Sequence, residues 1–390
     1  MLTIVLFLTV RDRDPAVAKR VHRLDVRPLF QKERGQEKGL LQLIYATIRT
    51  RLVPALPGQA DWPMGSSSKF ANSFEDTMKS VIEVIPGLVN VTEFTIDSWY
   101  LPPGYDIQPF FTTAWSSFGR NLRKVSLGGN LEGFRAFTTS RPHSHLCSLQ
   151  ELSLDFANDQ FHVDEAAEGT ILLEDVLPFV NGLGSQLRHL QVSSWGTLDL
   201  SSFFIALRPF AVLQHFSIRA AFNKAFRTDP SGLTRFLQVN SATLQHVGLR
   251  LNPTRWAIEP TSEQLLSEWM SEGIAHKAML ANLQVLQIYP TLLPAGLDAL
   301  AVYLRRSSDT LTTLAVRDRY LQYDEVDVVV GAFGHRSAEN GLKSLRLNVR
   351  TLTVELIDLL AERLPGLEEL ALYIGDAVTD DHALTIVCPG

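Results

Sequence analysis

Cysteine is nearly absent from this chain. Its 390 residues hold two, Cys147 and Cys388, too few and too far apart for a disulfide framework or a zinc set. That scarcity points to a reducing, intracellular compartment. Nowhere is there an uninterrupted apolar run of the ~18 residues that a bilayer-spanning helix needs. An excess of positive charge is missing as well. With 36 Lys and Arg against 42 Asp and Glu, the net charge is −6, which argues against nucleic acid as the main partner. The motifs of common catalysis are also lacking: no G-x-S-x-G elbow, phosphate loop, G-x-G-x-x-G or H-E-x-x-H occurs. The expectation is therefore a protein that is not an enzyme and uses no cofactor or metal.

What is present is a repeat. The pattern apolar-x-x-apolar-x-apolar recurs as VHRLDV from Val21, VTEFTI from Val91, LRKVSL from Leu122 and LQELSL from Leu149. It returns as LRHLQV from Leu187, LQHFSI from Leu213, LQHVGL from Leu244 and LQVLQI from Leu283. LTTLAV from Leu311, LKSLRL from Leu342 and LEELAL from Leu367 complete the set. From Val91 the starts are spaced 31, 27, 38, 26, 31, 39, 28, 31 and 25 residues apart, too regular for chance. The closing x-apolar-x-apolar alternates with period two, as a strand burying one face does. The first apolar residue marks the chain turning into that strand.

Helical stretches fill the intervals. SFEDTMKSVIEVIP puts Phe74, Met78, Val81, Ile82 and Ile85 on one stripe, and LPAGLDALAVYLRRSS carries Pro294 near its start. EDVLPFVNGLG, SEQLLSEWMSEG and TVELIDLLAERLPG take the same slot, several ending in glycine as a helix stop should. One such strand and helix cannot bury their apolar faces alone, so the units must stack. The expected fold is α/β, a curved solenoid of about 11–12 repeats over residues 1–390, with parallel strands on the concave face and helices on the convex face.

The hexamers resemble the strand half of leucine-rich repeats over nearly the whole chain. Their wandering period, and an asparagine filled only occasionally, as by Asn130, resemble the divergent repeats of fungal F-box/leucine-rich-repeat proteins. That resemblance implies repeats that capture a protein substrate for a cullin-type ubiquitin ligase, with an N-terminal F-box binding a Skp-type adaptor. No F-box is found here. LPAGLDALAVYL, from Leu293, looks like an F-box opening but falls between hexamers, where a repeat helix is required. A ligase subunit whose F-box is missing from this chain is the alternative, and an enzyme using a row of histidines a further one.

Three other stretches carry expectations. LLQLIYATIRTRL, from Leu40, reads as a helix, and residues 54–69, rich in proline, glycine and serine, as a loop insertion. MLTIVLFLTV, the first ten residues, lacks the basic start and cleavage site of a signal peptide and reads as a first strand. Neither terminus shows a polar cap, as a fragment of a longer product would not. The sequon Asn90-Val91-Thr92 falls where a buried strand is expected and reads as accidental.

The open strand face is read from positions that alternate with the buried ones. Position three of the hexamer supplies Glu93, Glu151, His189, His215 and His246, and the residue after the hexamer supplies Asp97, Asp155, Arg219, Arg250, Tyr289 and Arg317. Glu93, Asp97, Glu151 and Asp155 make an acidic early patch. The three histidines form a ladder flanked by arginines, suited to an anionic or phosphorylated protein segment, whereas in-register histidines do not converge on a metal. Trp99 and Trp195, just past their strands, are candidate anchors.

Overall fold

Every hexamer becomes a strand, and its first residue shows why. That residue closes a turn: Leu122 N–H donates to Gly119 O at 3.2 Å, Leu149 to Leu146 O at 3.3 Å and Leu367 to Leu364 O at 3.1 Å. The side chain then goes straight into the core, with Val91, Leu122, Leu149, Leu213 and Leu283 fully buried. Pairing starts at position three, and the carbonyl of position two accepts two N–H groups from the next repeat. Thr92 O takes those of Arg123 (2.8 Å) and Lys124 (3.1 Å), and Thr312 O those of Lys343 (2.8 Å) and Ser344 (3.0 Å). A buried turn followed by a shared acceptor fixes register before any side chain on the open face is chosen.

The computed structural model describes residues 18–29, 43–47, 74–98, 101, 104–140, 145–157, 165–196, 198–251, 260–277, 280–288, 290–292, 295–334 and 341–375. The chain divides into two units, Met1–Leu198 with Ala206–Leu213, and Asp199–Ile205 with Gln214–Gly390.

Unit 1 holds β1 (Arg23–Leu29), β2 (Leu43–Thr47), β3 (Glu93–Asp97), β4 (Lys124–Gly129), β5 (Glu151–Phe156) and β6 (His189–Ser194), in the spatial order β6-β5-β4-β3-β1-β2. All pair in parallel except β2, which runs antiparallel to β1. Helices cover one face: α1 (Phe74–Val84), α2 (Gln108–Phe118), α3 (Leu131–Thr139), then α4 (Glu165–Ile171) and α5 (Leu177–Gly182) joined by a π turn at Leu172–Val176. Phe94 of β3 meets Phe110, Trp115 and Phe118 of α2 at ring-centroid distances of 6.1, 5.7 and 5.8 Å. Trp115 also stacks on Phe111 and sends its indole N–H to Ser140 Oγ at 2.6 Å, so burying this ring leaves no polar atom unmet.

Unit 2 holds β7 (His215–Ala220), β8 (His246–Leu251), β9 (Val285–Ile288), β10 (Thr313–Leu321), β11 (Ser344–Val349) and β12 (Glu369–Ile374), ordered β12-β11-β10-β9-β8-β7 and parallel throughout. Its helices are α6 (Ser201–Ala206), α7 (Phe222–Ala225), α8 (Ser231–Val239), α9 (Pro260–Glu268), α10 (Gly296–Ser307), α11 (Tyr323–Gly331) and α12 (Val354–Arg363), with a π segment at Trp269–Lys277. Phe204 and Phe236 pack on Phe216 of β7 at 6.0 and 4.9 Å. The α/β class and the parallel strands hold in both units, and LPAGLDALAVYL supplies α10, a repeat helix.

Four expectations need correction. The stretch expected as a helix from Leu40 contains β2. Ile44, Tyr45 and Thr47 favour strand over helix, and the outer edge of β1 offers this segment an antiparallel partner. The expected first strand at residues 1–10, like the expected loop at 54–69, lies outside the described residues. Asparagine serves a different place from the one sought. Asn130 caps α3, accepting from Gly133 N–H at 2.9 Å. The stitching amides instead sit one residue before the hexamer: Asn90 Nδ2 donates to Lys19 O (2.6 Å), Asn121 to Val89 O (2.8 Å) and Asn282 to Ala242 O (2.7 Å). The sequon's Asn90 is therefore an exposed turn residue with its amide engaged, not a buried strand residue. The helical stripe of α1 is narrower than expected, with Phe74, Met78 and Ile85 buried but Val81 and Ile82 half-exposed.

Candidate functional site

With one sheet face under helices, the opposite face presents positions three, five and seven of each repeat. On unit 1, the register sets Arg23, Glu93, Lys124, Glu151 and His189 side by side. Their signs alternate, and neighbours pair. Arg23 lies 3.7 Å from Glu93, Lys124 3.0 Å from Glu151, and His189 Nδ1 3.7 Å from Glu151. The acidic patch is thus a self-compensating ladder along this line, because each carboxylate sits one strand from a base. Two lines further on, at position seven, Asp97 and Asp155 flank Gly128 across β4. Trp195 follows β6, 44% exposed, with its backbone N–H on Phe156 O at 3.1 Å. Trp99 lies outside the described residues.

Unit 2 is arranged differently. His215 and His246, in register on β7 and β8, stack with ring centroids 5.2 Å apart and planes at 25°. Arg219 and Arg250 are register partners four residues further along the same strands. Arg250 Nη2 donates to Gln287 Oε1 of β9 at 2.7 Å. Between the histidine and arginine lines the floor is small, Ser217 beside Gly248. Tyr289, expected in the arginine line, lies outside the described residues.

Arg317 does not join the Arg219–Arg250 pair. Its guanidinium lies over the ring of Tyr373, 3.8 Å from the centroid, reaching from β10 across β11 to β12. Asn348, on the strand between, donates to Arg317 O at 2.8 Å. Four residues before Tyr373 on β12, Glu369 accepts from Ser344 Oγ (2.8 Å) and Arg346 Nη2 (2.9 Å), and these donors hold its carboxyl below its ordinary range.

A local irregularity shapes the same end. Val316 pairs with Leu347 and Leu321 with Val349, so four residues of β10, Arg317 to Tyr320, face the single Asn348 of β11. Each does something specific. Asp318 accepts from Leu292 N–H at 2.9 Å and from Thr291 Oγ1, closing the short turn Pro290–Leu292. Burial pushes its carboxyl up to about 6 despite those donors. Arg319 pairs with Glu325, which completes the capping box of α11 with Gln322. Tyr320 is 51% exposed and lies across Gly375, where a Cβ would come within 2.8 Å of its ring.

Position five, the middle line of the face, escaped the sequence reading. It reads Asp25, Thr95, Ser126, Ser153 and Gln191 in unit 1 and Ser217, Gly248, Gln287, Ala315, Arg346 and Ala371 in unit 2. The alternation rule alone would have found it. Tyr320 had no such signal, because it depends on an excursion that breaks the alternation. Among the described residues no group of three or more His, Cys, Asp or Glu is placed to hold a metal ion. A cavity of about 260 Å³ in unit 2 lies on the helix side. There Arg306 is committed to Ala275 O (2.8 Å) and His276 O (3.0 Å), and burial raises the phenol of Tyr303.

No family model matches the chain, and no curated protein matches it. Among solved structures it is similar to a chain of the crystal structure of the Rad7 and Elc1 complex in yeast, at 16% identity and a TM-score of 0.35, over 78% of this chain and 83% of that one. A likeness of that size carries no argument beyond what the strands themselves establish.

Proposed function

We propose that this chain is a non-catalytic recognition scaffold that holds a protein partner on its open strand face. The observation that supports this most is the organisation of that face. Lines of half-exposed polar and charged side chains run from strand to strand at ~4.8 Å, a surface matched to an extended segment rather than to a small molecule. The arginines and stacked histidines of unit 2 favour an anionic segment. The hexamers' resemblance to leucine-rich repeats supports a finer version, in which the partner is a substrate delivered to a cullin-type ubiquitin ligase inside the cell. No described helix is long and apolar enough to cross a membrane.

Affinity purification from the native cell with mass spectrometry identifies the partner. Replacing Arg219 and Arg250 together by glutamate should then reduce its capture roughly ten-fold or more without changing the melting temperature. Undiminished capture by the folded double variant would exclude this face. Failure to co-purify a Skp-type adaptor would remove the ligase version and leave the scaffold.

A further inference from the structure

The arginines of the β10–β12 end are not equivalent. Arg319 is paired with Glu325, and Arg346 with Glu369 at 2.9 Å. Among the described residues, Arg317 has no carboxylate within ion-pair distance and makes no side-chain hydrogen bond. Its one contact of note is the face of Tyr373. Stacking a guanidinium on an aromatic ring occupies its plane but leaves its N–H edge pointing outward, pre-oriented for a bidentate acceptor. The ring beneath it is itself 43% exposed, and Tyr320, 51% exposed, reaches over Gly375, two residues beyond Tyr373. The glycine is what permits this, since any side chain at residue 375 would lift the ring.

The β10–β12 end thus presents a floor of two exposed tyrosines, with the Arg317 guanidinium stacked on one of them. Tyrosine and arginine are the residues that dominate binding energy at protein interfaces, because they bury large rigid area and still carry directional donors. Charge decides the occupant. The carboxylates described near this floor are already engaged: Glu325 caps α11, Glu369 holds Ser344 and Arg346, and Asp318 is turned inward onto Pro290–Leu292. Among the described residues, none of these carboxylates is left for Arg317.

We infer that Arg317, Tyr373 and Tyr320 form the anchor for an acidic peptide segment of the partner, one carboxylate taking the N–H edge of Arg317 while the neighbouring backbone lies on the two rings. This rests on the scaffold reading and specifies the chemistry of what is held.

The test uses the full chain and two end-blocked, fluorophore-labelled decapeptides of alternating glutamate and serine, one of them with every glutamate changed to glutamine. Fluorescence anisotropy at low salt should show binding of the glutamate peptide only. Arg317→Gln and Tyr373→Leu should each weaken it roughly ten-fold. Arg346→Gln, which removes one positive charge from the same face, should weaken it far less. Circular dichroism and melting curves confirm that each variant folds.

Equal binding of the glutamine peptide would overturn acidic recognition. Equal loss in Arg317→Gln and Arg346→Gln would overturn the anchor in favour of diffuse attraction. If the wild-type chain ignores both peptides while Arg219→Glu/Arg250→Glu still abolishes capture of the cellular partner, this inference fails and the scaffold reading stands. If that double variant also captures normally, the strand-face reading fails with it.

Discussion

Units 1 and 2 use the same hexamer, the same buried first residue and the same shared carbonyl, yet their open faces differ in kind. On unit 1 the position-three line neutralises itself from strand to strand. On unit 2 like residues stand side by side, His215 on His246 and Arg219 beside Arg250, and Arg317 is stacked rather than ion-paired. Repeat geometry sets spacing and register. What the face does is then decided by whether adjacent repeats carry opposite or like charges. Opposite charges consume one another. Like charges side by side cost a little stability, and the proposed recognition face is where they stand.

That comparison can be broken or sharpened by substitution. The largest effect should come from the core, which the two faces share in kind. Trp115→Ala removes a fully buried ring packed on Phe94, Phe111 and Phe137 and the indole N–H that Ser140 Oγ accepts. A loss of about 3–5 kcal/mol is expected in urea unfolding. A loss under ~1 kcal/mol would mean that this core does not hold unit 1 together.

Next comes pH. Asp318 has its carboxyl raised from 3.8 to about 6 in the folded protein, chiefly by burial. The folded state therefore holds this proton more tightly than the unfolded chain. The associated stability is full below pH ~4 and is lost as pH rises through about 6, amounting to roughly 1–3 kcal/mol. Asp318→Asn should flatten that window in urea unfolding measured between pH ~4 and ~7. An unchanged profile would mean that the turn Pro290–Leu292 does not bury this group.

Swapping faces tests the comparison itself. Lys124→Glu on unit 1 sets a new carboxylate between Glu93 and Glu151, making the line acidic across three adjacent strands. It should lower stability by about 1 kcal/mol and leave partner capture unchanged, whereas charge reversal at Arg219 and Arg250 does the opposite. Capture lost through Lys124→Glu would place the binding face on unit 1 instead. The smallest effect belongs to Lys124→Ala. It deletes one half-exposed ion pair and should cost no more than ~0.5–1 kcal/mol, falling with added salt.

How much of this was legible beforehand differs by level. All eleven hexamers from Val21 to Leu367 became the parallel strands, and the expected repeat helices formed, because burial of a period-two pattern behind a fixed apolar turn is a local signal. β2 was misread because its short apolar run fits either element, and only the outer edge of β1 decides between them. The acidic patch was legible as a set of residues, but not its pairing: Lys124 stands between Glu93 and Glu151 on β4 and pairs with Glu151 at 3.0 Å. The histidine line is visible in the sequence, but its stacking is not.

By itself, then, the sequence determined the repeat, the strand positions, the buried face and the identity of most residues on the open one. These follow from alternation and spacing, which a chain carries in one dimension. Only the tertiary structure decided who pairs with whom. Whether an arginine meets a glutamate, a glutamine or a tyrosine depends on the neighbouring strand, a whole repeat away in the chain. Arg317 reached Tyr373 two strands away, and Tyr320 reached Gly375 from the stretch where β10 spends four residues opposite one residue of β11. An irregular register of that kind leaves no periodic mark in the chain, and it is where the proposed anchor lies.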